Sequence, residues 1–364
     1  MTIATIINYL ESYAPTAYAE TYDNAGLIVG NANEVCTGVI CTLDAVETVI
    51  DEAIAKKANL IVAHHPILFN GIKQLNGKNY VEKTIIKAIQ NNISIYAIHT
   101  NLDNILNGVN KKIADKIALQ NIKILLPKTN LINLIVYAPE DNADKVREAI
   151  WSVGGGKLGN YEDCSFNING AGTFKPVANA NPTIGNLNER ETVNEIAISV
   201  VLPYHLKDKA LAAARSAHIY EEVAHSIHAL ENTHQFVGSG IVGELATAVS
   251  EHQFLMLLKE KFGLRVIRHS ALLEKTIKKV AICGGSGSFL TKNAIAAKAD
   301  VFITADVKYH EFFDANNQLL IADIGHWESE QFTTDLLFDI LQAKFPNFAV
   351  LKSEINTNSI KYFL

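Results

Sequence analysis

The sequence predicts an α/β protein: a discontinuous main domain of mostly parallel sheets flanked by helices, interrupted by an inserted ferredoxin-like α+β domain. Three observations predict it. Short apolar runs alternate with amphipathic helical patterns over the first third of the chain, and the same alternation returns over the last third. Between them the texture changes, with a Gly-rich turn and a long loop of Ala, Asn, Pro and Gly. The expected bounds are 1–127 with 237–364 for the main domain and 128–236 for the insert.

The first amphipathic helix is expected over Ile3 to Tyr13. Apolar runs at Gly38 to Leu43, Leu60 to Ala63 and Ile93 to Ile98 read as buried strands, with helices at Ala45 to Lys56 and Val81 to Gln90 between them. Strands separated by helices pair in parallel and are covered on both faces. In the last third, Lys279 to Cys283, Val301 to Thr304 and Leu319 to Ile324 read as strands, and Phe289 to Ala297 and Tyr309 to Ala315 as helices. The middle offers a strand (Leu131 to Tyr137), a helix (Asn142 to Val153), the turn Gly154-Gly155-Gly156, a loop near Val177 to Asn188, a strand (Glu195 to Leu202) and a helix (Leu206 to Ser216). Two βαβ-like units in so short a span are what a ferredoxin-like module contains. Insertion at a surface loop would split the host domain in sequence alone.

The 364 residues suffice for two or three domains with real cores. At 48% hydrophobic and 19% charged, the composition excludes a disordered or fibrous chain. A formal charge of -6 argues against a broad duplex-binding face, which needs clustered Lys and Arg, so nucleic acid is an unfavoured partner. No stretch approaches the roughly 18 apolar residues of a membrane helix, and the N-terminus has no basic leader, so a cytoplasmic location is expected. Cys36, Cys41, Cys164 and Cys283 are dispersed and contain no CxxC pair, as expected of buried thiols.

Ligands of an open parallel sheet bind beyond the carboxyl ends of its strands, which makes the residues after each apolar run informative. Leu60 to Ala63 ends in His64-His65-Pro66; the run to Ile98 ends in His99-Thr100-Asn101-Leu102-Asp103; Leu319 to Ile324 ends in Gly325-His326-Trp327-Glu328-Ser329-Glu330. Imidazoles and carboxylates at one rim are the side chains that bind Zn, with Mn, Fe, Ni or Mg as further candidates. If Gly325 opens a helix, His326 and Glu330 share a face. Adjacent His64 and His65 reach two neighbouring metals only if the strand end turns. Each element also has an ordinary reading: a structural turn for His64-His65-Pro66, a helix N-cap for Asp103 before Asn104 to Lys116, a solvated face for His326 and Glu330. His99 and Asp306 suit a place behind the ligands, and His310 or His99 could serve as an acid or base.

These residues carry a resemblance. Tyr22-Asp23-Asn24-Ala25-Gly26-Leu27-Ile28-Val29-Gly30, Ala63 to Pro66, His99 to Asp103 and Asp323 to Glu330 together resemble the Ngg-one-interacting-factor-three-like family, whose bacterial members are commonly called GTP cyclohydrolase I type 2 homologues. The resemblance implies two divalent metal ions per subunit on His64, His65, Asp103, His326 and Glu330. It also implies a PII- or CutA-like insert and a toroidal homohexamer. Ala217 to Ala224 and Leu230-Glu231-Asn232 resemble the motif of that insert, with Ile219 where Pro is usual; Tyr22 stands where Trp is usual.

Gly284-Gly285-Ser286-Gly287-Ser288 follows a predicted strand, where backbone N–H groups can hold a phosphate or make a plain tight turn. It lacks both the Lys of a Walker loop and the third Gly of a dinucleotide fingerprint. The spacing of His218, His225, His228 and His234 gives no ligand set. The expected function is therefore a dinuclear metal-dependent hydrolase acting on a nucleotide or phosphate-containing small molecule. The rival is a regulatory or metal-handling assembly without turnover.

Overall fold

A computed structural model of the protein describes residues 1–363. The chain separates into two compact units, one made of residues 1–127 with those from Phe236 onward, the other of Lys128–Gln235. Strands β1 (Gly26–Val29), β2 (Val39–Asp44), β3 (Leu60–His65), β4 (Ser94–Ala97) and β5 (Gln120–Pro127) belong to the first half of the larger unit. The smaller unit holds β6 (Leu131–Pro139), β7 (Phe166–Phe174), β8 (Glu191–Pro203) and β9 (His225–Ala229). The larger unit resumes with β10 (Gly238–Ser250), β11 (Arg268–His269), β12 (Thr276–Ser286), β13 (Val301–Ala305), β14 (Leu320–Asp323) and β15 (Val350–Lys352).

The larger unit contains two sheets, ordered β1-β4-β3-β2-β15 and β11-β14-β13-β12-β10-β5. Alternation along each strand explains the layers. Leu60 and Val62 of β3 join the core shared with Val280, Ile282 and Ile303 of the second sheet, whereas Ile61 and Ala63 face a separate cluster under the helices Glu47–Ala55 and Tyr80–Gln90. In the second sheet, Ala281, Phe302 and Ile321 point to a third cluster with Leu290 and Ala294. Strands buried on both faces read as unbroken apolar runs, and each fully buried Ile or Val stabilises the unit by roughly 1.5–3 kcal/mol. The opening helix Ile3–Tyr13 adds Ile3, Ile6, Ile7 and Leu10 from one stripe to the shared core.

The architecture is mixed α/β with helix-flanked sheets, but parallel pairing is broken at one end of the first sheet and at both ends of the second. β15-β2-β3-β4 and β12-β13-β14 are parallel, while β1, β10, β5 and β11 pair antiparallel at the edges. β5 opens on Gln120-Asn121 and has Lys123 inside it, and the long strand β10 carries Gly238, Gly240, Gly243 and Glu244, so neither reads as one clean apolar run. The expected helix from Asn104 to Lys116 is also divided. A short turn, Thr100–Asp103, is followed by a helix at Val109–Lys116. At the break, a side chain on Gly108 would lie 1.7 Å from the Leu102 carbonyl oxygen, and Asn104 is spent on Tyr18 and Glu20. Asp103 thus ends a turn and does not cap the longer helix.

The smaller unit runs β6, the helix Ala143–Ser152, β7, β8, the helix Lys207–Ala217 and β9, and its antiparallel sheet is ordered β7-β8-β6-β9. Ile132, Leu134, Val136, Ile198 and Val200 face Val146, Ile150, Ala210 and Ala214 of those helices. His225 and His228 stand on strand β9, not on a helix, and make separate local contacts to the Val223 carbonyl and the Ser226 hydroxyl.

Candidate metal centre

The carboxyl ends of the parallel strands of both sheets in the larger unit supply one cluster of side chains. β2 ends in Asp44, β3 in His64 and His65, and β4 leads through His99 to the turn that carries Asp103. β12 ends in Gly284–Ser286, β13 is followed by Asp306, and β14 by Gly325, which opens the single-turn helix His326–Glu330. Gly325 has φ +91°, and its Cβ would stand 2.3 Å from Glu328 Oε2. A glycine is needed there to start the turn that puts His326 and Glu330 on one face.

Glu330 is buried and connects two groups of donors. Its Oε2 accepts from His65 Nε2 at 2.9 Å and lies 3.2 Å from His326 Nε2; the two imidazole nitrogens are themselves 3.4 Å apart. Its Oε1 lies 3.9 Å from His64 Nε2, which in turn is 3.6 Å from Asp103 Oδ1. Neither His64 Nε2 nor Asp103 Oδ1 has a hydrogen-bond partner. A fully buried imidazole nitrogen facing an equally unsatisfied carboxylate oxygen is costly unless something positive stands between them. The sets His65, His326, Glu330 and His64, Asp103, Glu330 each have the reach to hold one ion, and His99 closes a third set with His64 and His65.

Three aspartates fix the rings from behind. His65 Nδ1 donates to Asp44 at 2.7 Å, His326 Nδ1 to Asp306 at 2.6 Å, and His99 Nδ1 to Asp23 at 2.8 Å; His64 Nδ1 donates to the Ile98 carbonyl at 2.8 Å. Each ring is left with Nε2 aimed inward, the arrangement in which a metal-ligating histidine is usually held. Burial opposes charge on His65 and His326, but the Asp44, Asp306 and Glu330 carboxylates outweigh it and raise them to about 9 and about 11. Burial dominates for His64, which is pushed down to about 3. Asp103 is driven well up by burial and then by the Glu330 charge. Glu330 resists its own burial and is held well down by His326 and His65.

Other expected positions fall as follows. His310 is exposed on a 3₁₀ turn against Tyr309 and Phe313 and is not among the residues lining the cavity over the cluster. The amides of Gly284, Gly285 and Gly287 donate to Asn110 Oδ1, Ser329 Oγ and Thr304 Oγ1, so the glycine segment has committed these donors within the protein. Its contribution is space: a Cβ on Gly285 would stand 2.4 Å from Glu330 Oε1. His218, His225, His228 and His234 join no ligand set among the described residues.

Asp44 and the C-terminal segment are participants the sequence did not single out, and Asp23 stands there only within the motif that carries the resemblance, with no role given to it. Asp44 closes the run Val39–Leu43, so the question asked of the other strand ends would have found it. Thr357 Oγ1 donates to Asp44 Oδ2, and Asn358 Nδ2 to Glu328 on the helix that carries His326. No periodicity signals such contacts, the first of which spans 313 residues and the second 30.

The model of the family described as Duf34/NIF3 (NGG1p interacting factor 3) matches residues 1–359. A Halalkalibacterium halodurans protein named GTP cyclohydrolase 1 type 2 homolog is 36% identical over 364 residues, covering 98% of each chain. A Bacillus subtilis protein of the same name is 34% identical, with 98% and 97% covered. Among solved structures, a Bacillus cereus protein related to NIF3 superposes with a TM-score of 0.85 at 34% identity, covering 100% of this chain and 99% of that one.

Proposed function

Because the chain belongs to the Duf34/NIF3 family, we propose that its metal centre is dinuclear and hydrolytic, with His65, His326 and Glu330 holding one divalent ion and His64, Asp103 and Glu330 the other. One observation carries this reading: Glu330 turns one oxygen to each donor group, while His64 Nε2 and Asp103 Oδ1 face each other unsatisfied. An imidazole and carboxylate set of this kind suits Zn, and also Mn, Fe or Ni. When bound there, divalent ions would supply Lewis acidity and a water activated near neutral pH. The protein's own contribution is orientation. Asp44 and Asp306 keep His65 and His326 in the ligating tautomer, and Asp23 leaves Nε2 of His99 at the cavity wall to accept and return a proton.

The printed name of the relatives brings a guanine nucleotide into the proposal as substrate class. The order of elements in Lys128–Gln235 supports reading that unit as an inserted ferredoxin-like module. Phe166 and Ile168, exposed along its edge strand β7, support self-association, which the family resemblance makes a homohexamer. No helix among the described residues is long and apolar enough to cross a membrane. The test is elemental analysis of the purified protein with an activity screen over GTP, phosphoesters and cyclic amides in Zn, Mn, Fe and Ni. Two ions per subunit with turnover of any one class is the expected result. Stoichiometric metal with no turnover would favour a metal-handling assembly, and a metal-free protein would remove both readings.

A further inference from the structure

We propose that the molecule this centre acts on is a planar heterocycle that docks through its ring and carries no polyphosphate recognised by the protein; this rests on the metal centre being the working site. The cavity over the cluster encloses about 740 Å³, room for a two-ring heterocycle with substituents. Its wall is mostly apolar, and its charge is one-sided. Among the described residues lining it there is no Lys or Arg, while Glu20, Asp44, Asp103 and Glu330 all contribute carboxylates.

A nucleoside triphosphate is ordinarily gripped by Arg or Lys forks and by free backbone N–H groups. No such fork lines the cavity among the described residues, and the glycine segment has little to add. The amides of Gly284, Gly285 and Gly287 already donate to side chains of the protein. A phosphate chain would therefore depend on the bound ions for its grip, since no Lys or Arg lines the wall among the described residues.

What the wall offers instead is rings. Tyr22, Phe69, Tyr80 and Phe289 come from four separate segments, all line the cavity, and are 69%, 54%, 66% and 61% exposed. Aromatic side chains left open around a concave site form a stacking surface, and such stacking is tolerant of which heterocycle is bound. The Phe69 ring lies edge-on to His99, centroids 5.8 Å apart, which ties this surface to the metal cluster. Asn24 Nδ2 donates to the Leu68 carbonyl at 2.7 Å, linking the Tyr22 and Phe69 segments.

The test uses the full-length, zinc-loaded protein and three probes with one ring and rising charge: guanosine, GMP and GTP. Calorimetry gives each affinity, with tripolyphosphate as competitor, for the parent and for Tyr22→Ala with Phe69→Ala. Neither residue is among the proposed ligands, so zinc content should stay unchanged. We expect guanosine to bind saturably, and any advantage of GTP over it to fall to no more than about threefold once the zinc is removed with chelator; the double substitution should weaken guanosine about fivefold if one ring stacks and about thirtyfold if both do. Tripolyphosphate should not displace guanosine from the chelated protein. Absent guanosine binding, a larger GTP preference or displacement by tripolyphosphate after chelation, or an unaffected double variant would each overturn the inference. A protein that binds guanosine through these rings but hydrolyses nothing loses the hydrolase reading and keeps this one; a protein that hydrolyses a polyphosphate does the reverse.

Discussion

Replacing Gly285 by Ala puts the carboxylate shared by the two donor groups under load. Gly285 has φ +60°, and a Cβ there would stand 2.4 Å from Glu330 Oε1 and 3.3 Å from His326 Cε1. Ordinary contact begins near 3.4 Å, so the carboxylate must retreat by about 1 Å. Its Oε2 lies 2.9 Å from His65 Nε2 and 3.2 Å from His326 Nε2, and a shift of that size carries at least one of these beyond hydrogen-bonding range. Loss of one charge-assisted bond costs about 1.5–3 kcal/mol, and a left-handed Ala about 1–2 kcal/mol, so the metal-free variant should be less stable by about 2.5–5 kcal/mol. Zinc affinity, read by competition with a chromophoric chelator, should fall by about 10–100-fold. Gly284→Ala is the control, since its Cβ would press on the end of Ile113 at 2.9 Å and meets Glu330 only at 3.4 Å. A Gly285→Ala protein with parental zinc affinity and stability would refute the bridging role of Glu330.

Three further outcomes follow from the same geometry. Asp103→Asn removes a carboxyl that burial and Glu330 hold well up; a raised carboxyl destabilises above its ordinary range, so with chelator at pH 8 the variant should melt higher while binding zinc about 100-fold more weakly, and a lower melting point would count against the unsatisfied pair. Without metal, the raised His65 and His326 stabilise fully below about 6.5 and lose that contribution as pH passes about 9 and about 11, whereas the depressed His64 withdraws stability as pH falls from 6.5 towards 3. Urea unfolding should therefore show maximum stability between those limits, and zinc uptake at pH 7 should expel about two protons by calorimetry in different buffers; a flat profile with no proton release would contradict it. Thr357→Val takes away the donor on Asp44 Oδ2, so the His65 titration followed by NMR should move and zinc affinity weaken up to about tenfold, while an unchanged titration would mean the C-terminal segment only covers the site.

Much of this was legible because buried parallel strands declare themselves as apolar runs and the chemistry follows their ends. Leu60-Ile61-Val62-Ala63 marked β3 and pointed to His64 and His65; Leu319 to Ile324 marked β14 and pointed to His326. Alternation even explains their separation: His64 lies in step with Leu60 and Val62, on the side of the core between the sheets, and is wholly buried, while His65 stays partly open. Gly325 opening a helix, and Asp306 and His99 standing near the ligands, followed from local rules of the same kind. Strands such as β10, with Gly238, Gly240, Gly243 and Glu244, gave no run to read, and mixed pairing at the sheet edges went with them. Contacts from Thr357 and Asn358 depend on where a chain end is laid down, which no local pattern encodes. For Gly285 the sequence offers a phosphate loop or a tight turn, and neither reveals that its missing side chain makes room for Glu330.

Anomalous diffraction at the zinc edge from metal-loaded crystals would be the most direct check. We expect two peaks per subunit roughly 3.5 Å apart, one by His65 and His326, one by His64 and Asp103, with a Glu330 oxygen on each. A single peak, or peaks away from Glu330, would contradict it.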